Sequence, residues 1–328
     1  MFFVTYIFLI TQIIFTIAEP IDGGKDVGKI KVHEGKQIVL NPANYPYVVH
    51  LHFDIIEVEG NPKRYYEIHM YCAGVLITEN VILSAAHCLK NHRKRPRRIT
   101  AWLGILDTVL DQGKGQEILV RGYTCHNSYA EGSTFQYIND ILLLWLRYPA
   151  ILDDKYVKVA KLPTEDFVAE KKSGFIVGWG TQSCGRKMTM LQEAVVRGVS
   201  PAKCQKYYKK TKIAPNLICV MADNKKRTST RGDSGGPFVI RDTVVGISSF
   251  GAVDWEKSDV TKGIIACDAK KPAAYTYVPK YLDWIAASLA DGPQINLLKS
   301  KPESTLLLQT STLIPGVPPK RPSRRPKL

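Results

Sequence analysis

The chain is poor in acidic residues and in cysteine, and its most apolar run is short for a membrane span. Lys and Arg number 45 against 30 Asp and Glu, a formal charge of +15 and a pI of about 9.4. The excess is clustered, from Lys90 to Arg98, at Lys225-Lys226-Arg227, and in a tail holding Lys320, Arg321, Arg324, Arg325 and Lys327. Such blocks either dock on polyanions and steer acidic substrates or are solvated loops, and both readings stand for each cluster. Seven cysteines is an odd number, so at least one lacks a disulfide partner within the chain. The run Met1 to Ala18 has no Lys or Arg at its start and ends in Thr16-Ile17-Ala18. It is short for a spanning helix, and its end suits signal-peptidase cleavage before Glu19. A cleaved signal is the expectation and a retained anchor the alternative. A signal implies a secreted, extracellular protein with no membrane span in its mature form. It also permits disulfides and makes a specific nucleic-acid partner unexpected.

A length of 328 residues with 45% hydrophobic content suits one large all-β unit or two smaller domains. Short apolar or alternating runs bounded by turn residues predict strands. They cover Tyr47 to Phe53, Val75 to Ile77, Val81 to Ser84, Thr100 to Leu103, Gln116 to Val120 and Asp140 to Leu146. They continue over Gly174 to Gly178, Gln192 to Val199, Pro237 to Ile240, Thr243 to Ser249 and Ala274 to Val278. Lys280 to Leu289 carries apolar residues at helical spacing and predicts a C-terminal helix. The organisation expected is signal 1–18, propeptide 19–31, a main globular body 32–290, and a basic, Pro-rich tail 291–328. The tail has too little apolar surface to offset ordering entropy and is expected to be disordered.

Three segments carry chemistry. Ser234 sits in Gly232-Asp233-Ser234-Gly235-Gly236-Pro237. His87 sits in Ala85-Ala86-His87-Cys88, and Asp140 in Ile138-Asn139-Asp140-Ile141-Leu142. A serine hydroxyl is a weak nucleophile at neutral pH and needs an oriented base, which in turn needs an orienting partner. With Gly178-Trp179-Gly180 and Pro272-Ala273-Ala274-Tyr275 also in order, the stretch from about Val32 to Leu289 resembles the chymotrypsin-fold (trypsin-like) serine proteases. The resemblance implies two antiparallel Greek-key β-barrels with a C-terminal helix and an active site in the cleft between them. It implies Ser234 as nucleophile, His87 as base and then acid, and Asp140 as orienting carboxylate with Ser249 as a second donor to it. The amides of Gly232 and Ser234 would form an oxyanion hole.

The same resemblance sets the remaining expectations. Asp233 would pair with a new α-amino group at Val32, released by cleavage after Lys31; Ile38 is a weaker alternative start. The primary pocket would have Thr228 at its base, with Gly251 and Ala273 as walls and Ser229 nearby, and Ser249 is counted with Thr228, Gly251 and Ala273 among the substrate-binding residues. No carboxylate stands at that base, so uncharged, apolar P1 residues are expected. Lys31 would then need a separate trypsin-like activator. Disulfides are implied for Cys72 with Cys88 and for Cys204 with Cys219. The family's usual Cys before Arg231 is Thr230 here, and Cys184 with Cys267 is the hypothesis for the displaced pair, leaving Cys125. Residues 252–266 form an insertion at the pocket rim that carries Asp254, Glu256 and Asp259. The loop from Leu103 to Glu117 has Ile105 where a calcium site wants a carboxylate, so no metal or other cofactor is expected and Asp107 and Asp111 read as solvated. His50, His52, His92 and His126 lack a catalytic context. Protein or peptide substrates follow from this reading; a non-catalytic homologue acting as a binding partner is the competing one.

Overall fold

The computed structural model describes residues 37–59, 64–90, 96–131, 137–181, 188–209, 212–223, 228–251, 253–259, 264–267 and 270–297. Strands dominate. The first barrel is built from β2 (Val48–Glu59), β3 (Arg64–Thr78), β4 (Val81–Ser84), β5 (Arg98–Leu103), β6 (Gln116–Cys125) and β9 (Leu142–Leu146). Their order is β6-β5-β2-β3-β4-β9, and β9 pairs back onto β6, so the sheet closes on itself. The second barrel uses β10 (Ser173–Gly178), β11 (Gln192–Val199), β12 (Leu217–Met221), β13 (Pro237–Ile240), β14 (Thr243–Phe250) and β17 (Ala273–Tyr277). Its order is β11-β10-β13-β14-β17-β12, closed by β12 on β11. This is the expected pair of antiparallel barrels with a C-terminal helix.

Side-chain alternation sets the register. In β2, Val49, Leu51, Phe53 and Ile55 are fully buried, and the intervening His50, His52 and Asp54 face the other side of the strand. All five residues of β9 are buried, as befits a strand covered on both faces. The core of the first barrel runs on through Trp179, Val244, Ile247 and Ile285, so the two barrels share one apolar body. A second cluster around Phe238, Val245 and Tyr275 fills the other barrel.

The structure adjusts several expectations. β2 and β3 are far longer than the apolar runs that announced them, because their polar residues continue the antiparallel ladder to Glu59 and Arg64. The C-terminal helix spans Leu282–Asp291 after a 3₁₀ turn at Val278–Tyr281 that contains Pro279. It ends at Gly292, whose φ of 76° suits glycine. The tail begins later than Asp291. β18 (Ile295–Asn296) pairs with β6, and the Leu297 amide donates to Arg121 O. The insertion forms a hairpin of its own, β15 (Val253–Asp259) with β16 (Ile264–Cys267). Asp107 and Asp111 are not solvated. Asp107 is buried and accepts from the Val109 and Leu110 amides and the Thr189 hydroxyl. Asp111 accepts from the Leu106 and Asp107 amides and from Lys114 Nζ. Protein donors therefore hold this loop together. The expected signal and propeptide, most of the basic tail and residues 91–95 of the Lys90 to Arg98 run lie outside the described residues.

Candidate active site

Asp140 lies in the turn before β9 and is fully buried. A buried carboxylate is costly unless several donors meet it, and here three do. The His87 amide reaches Oδ1 at 2.8 Å, His87 Nδ1 lies 2.7 Å from Oδ2, and the Ser249 hydroxyl donates to Oδ2 at 2.6 Å. Gripping the histidine by both backbone and ring fixes its position as well as its orientation. The turn itself is braced: Asn139 takes a φ of 50° and accepts from the Asn216 amide and the Tyr281 hydroxyl. Thr276 donates to the Asp140 carbonyl at 2.7 Å. His87 begins a short helix, His87–Lys90, and the Cys72–Cys88 disulfide ties that helix to β3. The Cys204–Cys219 bridge is also formed, in the second barrel. Cys125 is buried at the end of β6, and the Cys184–Cys267 pairing lies outside the described residues.

Ser234 occupies a tight turn made possible by two glycines with positive φ, Gly232 at 100° and Gly235 at 76°. The turn is fixed by Asp233 N to Thr230 O, Gly236 N to Asp233 O and Gly235 N to Ser248 O. It is also stapled to the first barrel, since Ala73 N donates to Ser234 O at 2.7 Å. A side chain at Gly235 would overlap Ser84 Oγ and Ala73 O. The serine turn therefore sits against Ala73, next to Cys72 within β3, and against Ser84, the last residue of β4 before the run into His87. Among the described residues the amides of Gly232 and Ser234 donate to no protein acceptor, which leaves both available to an oxyanion. No hydrogen bond joins the Ser234 hydroxyl to His87 among those residues. That contact commonly tightens only when substrate arrives.

Asp233 is buried and accepts from the Gly180 amide at 2.9 Å, the Thr230 amide at 2.8 Å and the Thr230 hydroxyl at 3.1 Å. This explains the Gly-Trp-Gly sequence: a Cβ on Gly178 or Gly180 would overlap this carboxylate. Thr230, standing where a cysteine was expected, also donates to Thr181 O at 2.8 Å. Hydrogen bonds here join two segments of the second barrel. Lys31 and Val32 lie outside the described residues.

Thr228 is buried, and among the described residues its Oγ1 has no hydrogen-bond partner. Ser229 is hydrogen-bonded to the Tyr275 hydroxyl. Gly251 faces the Ser229 carbonyl so closely that a Cβ would press on it, and Ala273 is fully buried at the start of β17. The side chains of Asp254, Glu256 and Asp259 lie outside the described set.

Two features escaped the sequence reading. The Tyr137 ring stacks on His87 at 4.8 Å and 6° and meets Phe250 edge-on, while Phe250 meets Tyr208 edge-on. These rings come from three separate segments, and no local pattern announces them. The other feature is a cluster of His52, Asp54 and His69 on the outer face of the first barrel. Its signal was present as His50-Leu51-His52-Phe53-Asp54, in which alternation puts three polar groups on one face.

A two-barrel body carrying a buried Asp–His pair beside a strained Gly-Asp-Ser-Gly turn defines a serine-protease class of protein. Comparison with known sequences agrees, since the Trypsin family model matches residues 41–285. The chain belongs to the trypsin family. It is 30% identical to granzyme B of Rattus norvegicus over 286 residues, which is 86% of this chain and 98% of that protein. It is 32% identical to kallikrein-8 of Homo sapiens over 218 residues, 66% of this chain and 76% of that one. Among solved structures it resembles neuropsin, a serine protease expressed in the limbic system of mouse brain. The TM-score is 0.60 at 26% identity, over 78% of this chain and 99% of that one. No helix among the described residues is long and apolar enough to cross a membrane.

Proposed function

We propose that this protein is a secreted endopeptidase, made as a zymogen, that cleaves peptide bonds through an acyl-enzyme on Ser234. The observation that carries the reading is the three-donor grip on Asp140, which fixes the His87 tautomer and leaves the ring's far nitrogen to act as base. His87 takes the Ser234 proton as the hydroxyl attacks the scissile carbonyl. The Gly232 and Ser234 amides hold the resulting oxyanion, and His87 returns the proton to the leaving amine. Water then repeats the sequence to release the acid.

P1 is uncharged. The buried Thr228 hydroxyl, without a protein partner among the described residues, offers one neutral hydrogen bond at the pocket base and no charge for Lys or Arg. The rings of Tyr137, Phe250 and Tyr208 add an apolar wall for residues preceding P1. Activation follows cleavage after Lys31, and the Val32 amino group then joins the buried Asp233 carboxylate. A neutral pocket makes a separate trypsin-like activator necessary. The basic tail supplies contact with an extracellular polyanion. The test is a fluorophosphonate probe on Lys31-cleaved protein, followed by a P1 library. Labelling at Ser234 with neutral P1 residues selected is the expected result. An unlabelled serine in correctly cleaved, folded protein would instead identify a non-catalytic homologue.

A further inference from the structure

The outer face of the β2–β3 hairpin carries a constellation that the proteolytic reading does not use. His52 Nε2, Asp54 Oδ1 and His69 Nδ1 form a nearly equilateral triangle. The sides are 3.1 Å between the two nitrogens, 2.9 Å from His69 to Asp54 and 3.2 Å from His52 to Asp54. Asp54 and His69 are direct cross-strand partners, and His52 sits one pleat away on the same face. The arrangement therefore belongs to the antiparallel ladder rather than to a loose surface.

We infer that this triangle is a binding site for a divalent transition-metal ion of the zinc class, held by two imidazoles and one carboxylate oxygen. An ion at roughly 2.0–2.1 Å from each corner, the usual zinc distance to nitrogen and oxygen, subtends angles of about 90–103° between ligands. That lies between the faces of an octahedron and a tetrahedron. The ligands occupy one side of the ion and leave the outer side to water. Two nitrogens and one oxygen select zinc, copper or nickel over calcium or magnesium, which prefer all-oxygen shells.

The surroundings fit. The Asp54 side chain is 3% exposed, His52 15% and His69 48%, so the ion enters past His69 onto a fixed floor. The other Asp54 oxygen, Oδ2, accepts from Arg98 Nε at 2.7 Å. This bond orients the carboxylate as an outer-shell partner does, while the guanidinium charge lowers affinity somewhat. His52 is held flat between neighbours, stacked on Tyr71 at 4.7 Å and on Trp102 at 5.8 Å. Further along β3 from His69 come Cys72, bridged to Cys88 beside His87, and Ala73, whose amide holds Ser234 O. A metal clamp on this hairpin therefore steadies a strand that supports the serine turn.

The test titrates ZnCl₂ into metal-stripped full-length protein by calorimetry, alongside His69→Asn and His52→Gln. Circular dichroism checks that each variant is folded. Wild type is expected to take up one equivalent that either substitution weakens by at least about tenfold. CuCl₂ is expected to quench Trp102 emission in wild type and not in His69→Asn. Absence of saturable zinc binding would overturn the inference. Unchanged binding in both folded variants would do so too, because it would place the ion elsewhere, for instance on His87.

Discussion

Replacing Asp140 with Asn changes almost no volume and tests the site's logic directly. The carboxylate accepts from three donors, the His87 amide on Oδ1 and both His87 Nδ1 and Ser249 Oγ on Oδ2. An asparagine can accept on one side only. With its oxygen toward Nδ1, its NH₂ faces the His87 amide, donor against donor at about the 2.8 Å of the native contact. With its oxygen toward the amide, its NH₂ faces Nδ1 and forces that nitrogen to accept. The second arrangement is the less costly, since an imidazole can exchange tautomers and a backbone amide cannot. The ring then carries its proton on the far nitrogen and cannot take one from Ser234. The expected loss in kcat is about 10⁴-fold, as found when the equivalent carboxylate is neutralised in a related triad. KM should change little, because Thr228, Gly251 and Ala273, the expected base and walls of the pocket, make no hydrogen bond to Asp140, whose donors are His87 and Ser249. Losing charge-assisted bonds at a fully buried site costs stability of order 1–3 kcal/mol. The assay is steady-state hydrolysis of a neutral-P1 peptide ester by activated protein, with thermal unfolding in parallel. A kcat within tenfold of wild type, or a loss confined to KM, would refute the claim that Asp140 sets the histidine tautomer.

Thr228→Asp should place an uncompensated carboxylate at the pocket base and move P1 preference from neutral residues toward Lys and Arg, read from kcat/KM on paired substrates. Gly180→Ala should destabilise by several kcal/mol and disturb the serine turn, because its Cβ would overlap the Asp233 carboxylate and Thr230 Oγ1. Thermal unfolding would show it, and a wild-type melting temperature would mean the carboxylate can move aside freely. His50 is buried beside Trp102 and Trp179, and that burial, with a smaller contribution from His52, pushes its pKa down to about 3. The unfolded chain binds this proton near pH 6.5 and the folded chain does not. Stability tied to His50 is therefore complete above pH ~6.5 and is lost as pH falls towards ~3. His50→Phe should flatten the acid limb of a stability–pH curve in that window; an unchanged slope would show that His50 protonates in the fold.

The line between what was legible in the chain and what was not runs through particular residues. Gly232 to Pro237, Ala85 to Cys88 and the apolar flanks of Asp140 are local signatures, because a nucleophile's turn, a histidine's helix start and a buried carboxylate each need specific neighbours in sequence. The two described disulfides were likewise readable from motif and resemblance. Strand positions were readable where alternation was strict. The lengths of β2 and β3 were not, since their outer ends are held by ladder pairing and carry polar side chains. Asp107 was misjudged for a related reason. Its donors are the amides of Val109 and Leu110, two and three residues on in a tight turn that no motif announces, and the Thr189 hydroxyl, which only the folded chain brings near.

The sequence by itself determined the family, the barrel pair and the identity of the catalytic candidates, because each depends on short-range chemistry that leaves a local pattern. Tertiary structure alone decided what meets across distance: Tyr137 on His87, Thr230 on Asp233 and Thr181, and His69 beside His52 and Asp54. Those contacts depend on strand register and barrel closure. Register is settled by burying one face of every strand at once, a condition on the whole fold that no single segment encodes.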